Sequence, residues 1–270
     1  MSNIQFFLKS IKLPAMPEVA HALIRTLNQV DVSTKQVGDL ISKDPALSAT
    51  VLRMANSAYF GLSHQVSSLN TAVQLIGMSK IRTHAVAICF QNVFPMAPGL
   101  NRREFWRSSV GTATYAHWLC GVSSLDPQIG WLTGLMLRLG ELMIAQQAPS
   151  MIADIEMKPC APGERWQREK QLTGLCECEI SAEIARQWDF PEEMVYAMTS
   201  AMDPLSAAPY SRLGAILHLA SLLAEMPGSN IKDLDVLPLN VITKLELKPC
   251  WMKDTLPNVH DALNLAPFTD

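Results

Sequence analysis

The sequence predicts an all-α protein, and three observations carry that expectation. Apolar residues recur three and four apart along nearly the whole chain. Alternating β-branched runs bounded by hairpin signals are missing. Of 270 residues, 49% are hydrophobic and 17% charged, which supplies a sizeable core and excludes a disordered chain.

The first helix starts at Pro17, whose missing N–H costs nothing there, and carries Val19, Leu23, Ile24 and Leu27. Ser33-Thr34-Lys35-Gln36 reads as a capping box opening the second. Asp44 caps a third that begins with Pro45, presents Leu47, Val51, Leu52 and Met54, and ends near Asn56. A helical segment over 71–76 stops at Gly77, and Ser79 begins the helix holding Ile81, Ala85 and Ile88. Two prolines and a glycine in Phe94-Pro95-Met96-Ala97-Pro98-Gly99 then break the pattern. The sequence therefore predicts two helical lobes: an N-terminal bundle of short helices over 1–100, and a helical core with a C-terminal extension over 101–270, meeting along the Trp106 and Trp188 helices. In the second lobe the expected helices are 103–121, 127–146, 163–172, 177–188, 191–201 and 209–226, followed by shorter, Pro-punctuated ones.

Twenty-two basic and 25 acidic side chains leave a net charge of −3, which gives no field to draw the chain onto phosphate backbones. No nucleic-acid partner is expected, and Arg102, Arg103 and Arg107 read as solvated at a helix start. The six cysteines include no C-x-x-C pair, Cys176-x-Cys178 lacks a second ligand pair, and no signal-peptide pattern opens the chain. A cytoplasmic protein with inert thiols is expected. The most apolar stretch, 132–145, is too short to span a bilayer and is interrupted by Arg138 and Glu141. Phosphate loops, dinucleotide fingerprints, nucleophile elbows and H-E-x-x-H are absent.

Four segments occur in a linked order: Leu13-Pro14-Ala15-Met16-Pro17, Asp44-Pro45-Ala46-Leu47-Ser48, Leu52-Arg53-Met54-Ala55-Asn56-Ser57-Ala58-Tyr59-Phe60-Gly61, and Ser67-Ser68-Leu69-Asn70-Thr71-Ala72-Val73-Gln74-Leu75-Ile76-Gly77. With Phe105-Trp106 and Gln187-Trp188-Asp189-Phe190-Pro191, they closely resemble an HDOD domain over about residues 10 to 225. The resemblance implies a bacterial signalling module related to the HD superfamily of metal-dependent phosphohydrolases. Activity does not travel with a fold, so each ligand position has its own reading.

By that resemblance the superfamily's first histidine falls at Ser108. Its His-Asp pair falls at Leu137 and Arg138, within Gly134-Leu135-Met136-Leu137-Arg138-Leu139-Gly140. The next histidine aligns with Glu177, the paired histidines with Ala201 and Met202, and the late aspartate with Ser221. No aligned position keeps its usual ligand, and a catalytic site needs several such ligands to lower the pKa of a water. The expectation is a pseudoenzyme with no metal and no cofactor, acting by binding an unidentified signalling protein or small regulator. The competing class is a metal-dependent phosphohydrolase acting on a nucleotide or phosphodiester.

His260-Asp261 has no matching downstream histidines and reads as chance, while His218, one turn before Ser221, reads as a hydrogen-bonded structural residue. Asn56, Ser57, Tyr59 and Phe60 form either an interaction loop or a helix stop, and the helix stop is preferred. Trp106 and Trp188 read as packing anchors. Arg138 is expected to pair bidentately with Glu177 across the relic site, with Glu141, three residues on, as the rival partner.

Overall fold

The computed structural model describes residues 15–29, 31–57, 64–94, 96, 99–157, 160–226 and 234–258. Among them the structure is all-α, with no strand. Among the described residues five helices precede residue 100: α1 (Glu18–Leu27), α2 (Thr34–Ser42), α3 (Pro45–Ala55), α4 (Leu69–Ile76) and α5 (Met78–Val93). The starts of α2 and α3 follow the expected chemistry, whereas Pro17 stands at the N-cap of α1 rather than as its first residue, and α5 begins at Met78 rather than Ser79. Ser33 Oγ accepts from the Gln36 N–H at 3.1 Å, and Asp44 Oδ1 accepts from those of Ala46 and Leu47 at 2.9 and 3.0 Å. Gly77, at φ +98°, closes α4 and opens α5 in a conformation that L side chains rarely adopt. In α1 the buried Ala20, Leu23 and Ile24 recur at the three- and four-residue spacing of a single inward face.

Asn101 caps α6 (Arg102–Cys120) by accepting from the Glu104 N–H, and Asp126 caps α7 (Pro127–Met136). The chain continues through α8 (Leu139–Gln147), a 3-10 turn, α9 (Ile152–Ile155), α10 (Glu164–Thr173), α11 (Glu177–Gln187), α12 (Glu192–Ser200) and α13 (Arg212–Glu225), and then α14 (Leu239–Lys244) and α15 (Pro249–Thr255). The expected single helix over 127–146 is two helices, because Arg138 turns to φ −92° and ψ 0° and the Leu137 N–H reaches back only three residues, to the Gly134 carbonyl. Helix α6 runs through the centre, packed on α7 and α13, while α11 packs on α8 and α12.

Between α5 and α6, Phe94, Met96 and Gly99 are non-helical, and Pro95, Ala97 and Pro98 lie outside the described residues. Apolar packing crosses this junction. Trp188, just past α11, stacks on Phe90 with ring centroids 5.9 Å apart and tilts against Phe94 at 5.4 Å. His84 of α5 lies flat on Trp131 of α7 at 4.2 Å. Trp106, buried in α6, packs edge-on against its neighbour Phe105. One cluster of buried side chains extends from Met16 to Met252.

Candidate functional site

The break between α7 and α8 is held by the neighbouring helix. Ser181 of α11 donates from Oγ to the Leu137 carbonyl at 2.9 Å and accepts from the Gly140 N–H at 2.8 Å. Both groups are orphans of helix ends and are buried, so without Ser181 they would lose their partner. Gly140 permits the contact: a Cβ there would stand 2.2 Å from the Glu177 carbonyl oxygen. Arg138 and the first residue of α11, Glu177, are thereby brought side by side.

Two guanidinium groups and a set of carboxyls meet at this point. Arg138 donates through Nε to Glu141 Oε2 at 2.9 Å and through Nη2 to the same oxygen. Its Nε is 3.7 Å from Glu177 Oε2, an ion pair without a hydrogen bond. The expected bidentate Arg138–Glu177 pair is therefore corrected: the rival, Glu141, takes Arg138, because both lie on one short helical turn and need no second element. The fork that grips Glu177 belongs to Arg165 of α10, with Nη1 donating to Oε2 at 2.8 Å and Nη2 to Oε1. Trp166 Nε1 donates to Glu177 Oε1 at 2.7 Å. Arg165 also donates to Glu169 Oε1 at 2.7 Å, while Glu169 Oε2 accepts from the Glu177 N–H.

Arg165, Glu169 and Glu177 are nearly or fully buried. Burial pulls the Arg165 guanidinium down, but the carboxylates of Glu177, Glu169 and Glu141 outweigh it and leave Arg165 well above its ordinary range. Burial, then the neighbouring Glu177, pushes Glu169 well above the usual carboxylate range against the pull of Arg165. Glu141 is raised first by burial, with Glu156 adding to the rise and Arg138 and Arg165 opposing it.

Above this network lies a cleft of about 390 Å³, lined by Phe105, Ser108, Arg138, Glu141, Ile155 and Arg165, with Glu156, Glu225 and Met226 at its sides. The Arg138 guanidinium carbon stands 5.7 Å over the Phe105 ring, a cation–π contact.

The positions expected to surround a relic metal site divide in two. Ser108 and Arg138 line the cleft, and Glu177 lies beneath it in contact with both arginines. Ala201 joins through its backbone: His218 Nδ1 donates to its carbonyl at 2.7 Å, and the His218 ring lies 5.8 Å from Trp166, whose indole serves Glu177. His218 is thus a hydrogen-bonded residue outside the cleft lining, its pKa lowered by burial. Leu137, Ala201, Met202 and Ser221 do not line the cleft. Sequence reasoning missed Arg165, Trp166, Glu169, Glu156 and Glu225. Arg165 and Glu169 stand at i,i+4 spacing, which on its own resembles an exposed helical pair.

Asn56 ties the end of α3 to Val66, with Nδ2 donating to the Leu52 and Val66 carbonyls and Oδ1 accepting from the Val66 N–H. Ser57 follows it, while Tyr59, Phe60 and His260-Asp261 lie outside the described residues. Cys176 and Cys178 are buried free thiols facing each other, and burial raises Cys178 well above the ordinary thiol range.

A divalent metal of the kind the HD superfamily uses does not fit these residues. Leu137 offers no lone pair, Arg138 places a cation where a ligand is needed, and the Glu177 oxygens are taken by Arg165 and Trp166. Among the described residues no group of three or more His, Cys, Asp or Glu is arranged to hold a metal ion.

The HDOD domain family model matches residues 13–204. A curated relative from Treponema pallidum (strain Nichols), named "Uncharacterized protein", is 23% identical over 188 residues, which is 68% of this chain and 36% of the relative. The chain thus spans about a third of that relative's length. Among solved structures, a Shewanella amazonensis SB2B protein named "Putative phosphohydrolase" is 25% identical with a TM-score of 0.81, covering 100% of this chain and 98% of its own. An HDOD domain protein with unknown function from Geobacter sulfurreducens is 22% identical with a TM-score of 0.75, covering 97% and 96%. A Marinobacter aquaeolei VT8 protein named "Putative signal transduction protein" is 19% identical with a TM-score of 0.80, covering 98% and 65%. These last two likenesses are of fold.

Proposed function

The chain belongs to the HDOD domain family, and from that premise we propose that it is a non-catalytic regulatory module that acts in cytoplasmic signalling by binding a partner protein or a small regulator. The observation that carries this reading is the occupation of the relic centre by protein charge. A fixed guanidinium, Arg165, is held bidentately by Glu177 where a phosphohydrolase would keep ligand oxygens free. A guanidinium neutralises charge, but it does not lower the pKa of a bound water as a divalent metal does. The cleft above the network retains the size and the mixed apolar and charged lining of a binding site.

Two measurements on the purified chain test the proposal. Incubated with manganese or nickel, it is expected to hold no stoichiometric metal and to turn over neither bis(p-nitrophenyl) phosphate nor cyclic dinucleotides. Turnover that Glu177→Gln abolishes would establish the phosphohydrolase instead. In affinity capture, a saturable partner or regulator is expected to be lost when Ser108→Trp fills the cleft. Capture that ignores Ser108→Trp would place binding elsewhere and overturn the role given to the cleft.

A further inference from the structure

Two carboxyl groups that line the cleft are hydrogen-bonded to each other: Glu141, in the first turn of α8, and Glu156, the residue after α9. An ionised carboxylate only accepts, so this bond exists only while the two side chains hold a proton between them. Their other contacts agree. Glu141 Oε1 and Glu156 Oε1 are buried and receive no N–H or hydroxyl donor among the described residues, while Glu141 Oε2 is taken by Arg138. A shared proton gives both oxygens a partner, and its loss leaves two like charges in contact away from water.

Charges face the pair from each neighbouring element. Arg138 Nη2 is 3.6 Å from Glu156 Oε1, and Arg165 of α10 stands 3.9 Å from Glu141 Oε2 through Nη1 and 4.0 Å from Glu156 Oε1 through Nε. Glu169 of α10, Glu177 of α11 and Glu225 of α13 share that arginine, and Glu104 and Arg107 of α6 and the Cys160 thiol line the same cleft. Burial first, and Glu156 with it, hold the Glu141 carboxyl above its ordinary range against the pull of Arg138 and Arg165.

The two partners differ in freedom. Glu141 is 1% exposed, sits within a helix and is bound by Arg138. The Glu156 side chain is 31% exposed. The backbone beneath it is fixed, because Ile152 and Ile155 are buried and Arg168 Nη1 donates to the Ile155 and Met157 carbonyls at 2.9 and 2.8 Å. When the carboxyls repel, the Glu156 side chain is therefore the part that can turn to water.

We propose that the proton shared by Glu141 and Glu156 is a latch on the cleft: while it is present the Glu156 carboxyl is held inside, and when it passes to solvent that carboxyl swings out and the cleft opens. The inference rests on reading the cleft as the binding site of a non-catalytic module, and it names how that site is regulated. Either Glu141→Gln or Glu156→Gln puts a permanent N–H donor in place of the proton, so both variants keep the latch shut at every pH. Glu156→Ala removes it.

Two measurements on the whole chain between pH 4 and 9 test the latch. Infrared difference spectra of the parent against Glu141→Gln are expected to show the carbonyl band of an un-ionised carboxylic acid, lost at a midpoint above the ordinary glutamate range. Alkylation of Cys160 by iodoacetamide, followed by mass spectrometry of its peptide, reads the opening. The parent rate divided by that of either glutamine variant cancels the thiol's own ionisation. That ratio is expected to stay near one at low pH and to rise severalfold through the infrared midpoint, with Glu156→Ala at the higher level throughout. Thermal melts matching the parent certify that the variants are folded, and Glu156→Gln, at the more exposed position, carries the comparison if Glu141→Gln does not fold. Absence of the band, or a ratio that stays flat while the band is lost, would overturn the latch. The manganese-dependent phosphodiester assay on the same samples separates the two failures: turnover defeats the non-catalytic reading, whereas a missing band or a flat ratio without turnover defeats this inference alone.

Discussion

At the scale of single residues, Glu177 is where the network is most exposed to change. It accepts both arms of the Arg165 fork and the Trp166 indole, and it is fully buried. Glu177→Ala strands the buried guanidinium and is expected to cost about 3–5 kcal/mol in a denaturant melt. Replacing Glu177 and Arg165 together by apolar residues of matching volume is expected to recover most of that loss, because the desolvation penalty leaves with the charges. A Glu177→Ala protein as stable as the parent would mean that the network contributes nothing to folding. The sequence made Arg138 legible, since a cation inside an apolar run demands a partner, but it pointed to the wrong carboxylate. Arg165 lies in a helix of high polarity, where a buried arginine has no local signal. Its burial is caused by helices far away in sequence.

Among the elements, caps and periodicities were readable and the break at Leu137 was not. Ser33, Asp44 and Gly77 act within a few residues of themselves, so their chemistry is written locally. The Gln187-Trp188-Asp189-Phe190-Pro191 segment is also local: Asp189 adopts φ +58°, and the Phe190 N–H returns to the Ala185 carbonyl, which ends α11. The division of 127–146 into α7 and α8 instead depends on Ser181, 41 and 44 residues away from the groups it serves. Ser181→Ala removes one hydroxyl and leaves a buried N–H and a buried carbonyl without that partner, an expected loss of about 1–3 kcal/mol by thermal melt. Ser181→Cys, nearly the same size but a poor hydrogen-bonding group, is expected to lose almost as much. A melt unchanged in both variants would show that the break is held by packing alone.

Across the whole molecule, the boundary proposed near residue 100 is bridged by apolar contacts, and one of these carries a titratable group. His84 of α5 stacks on Trp131 of α7, and its Nδ1 donates to the Lys80 carbonyl at 2.9 Å. Burial first of all pushes its pKa down to about 4, the Lys80 backbone bond opposes this, and the Lys80 and His117 charges add to the fall. The unfolded chain titrates near the ordinary value of 6.5, so between about 6.5 and 4 it binds a proton that the folded chain does not. Stability from this group is therefore complete above pH 6.5, falls as the pH drops through that window, and levels below about 4. The full drop corresponds to at most about 3 kcal/mol, and the part of the ring left accessible lowers it. Because the stack joins helices on both sides of the junction, the loss is expected to move a single unfolding transition rather than split it. Denaturant melts at pH 7, 5.5 and 4.5, followed by tryptophan fluorescence and by far-ultraviolet circular dichroism, check both points. His84→Phe keeps the stack and removes the proton site, and its midpoint is expected to depend less on pH than the parent's. Equal pH dependence in the two proteins would place the titration elsewhere, and probes that separate at low pH would show the two halves unfolding independently.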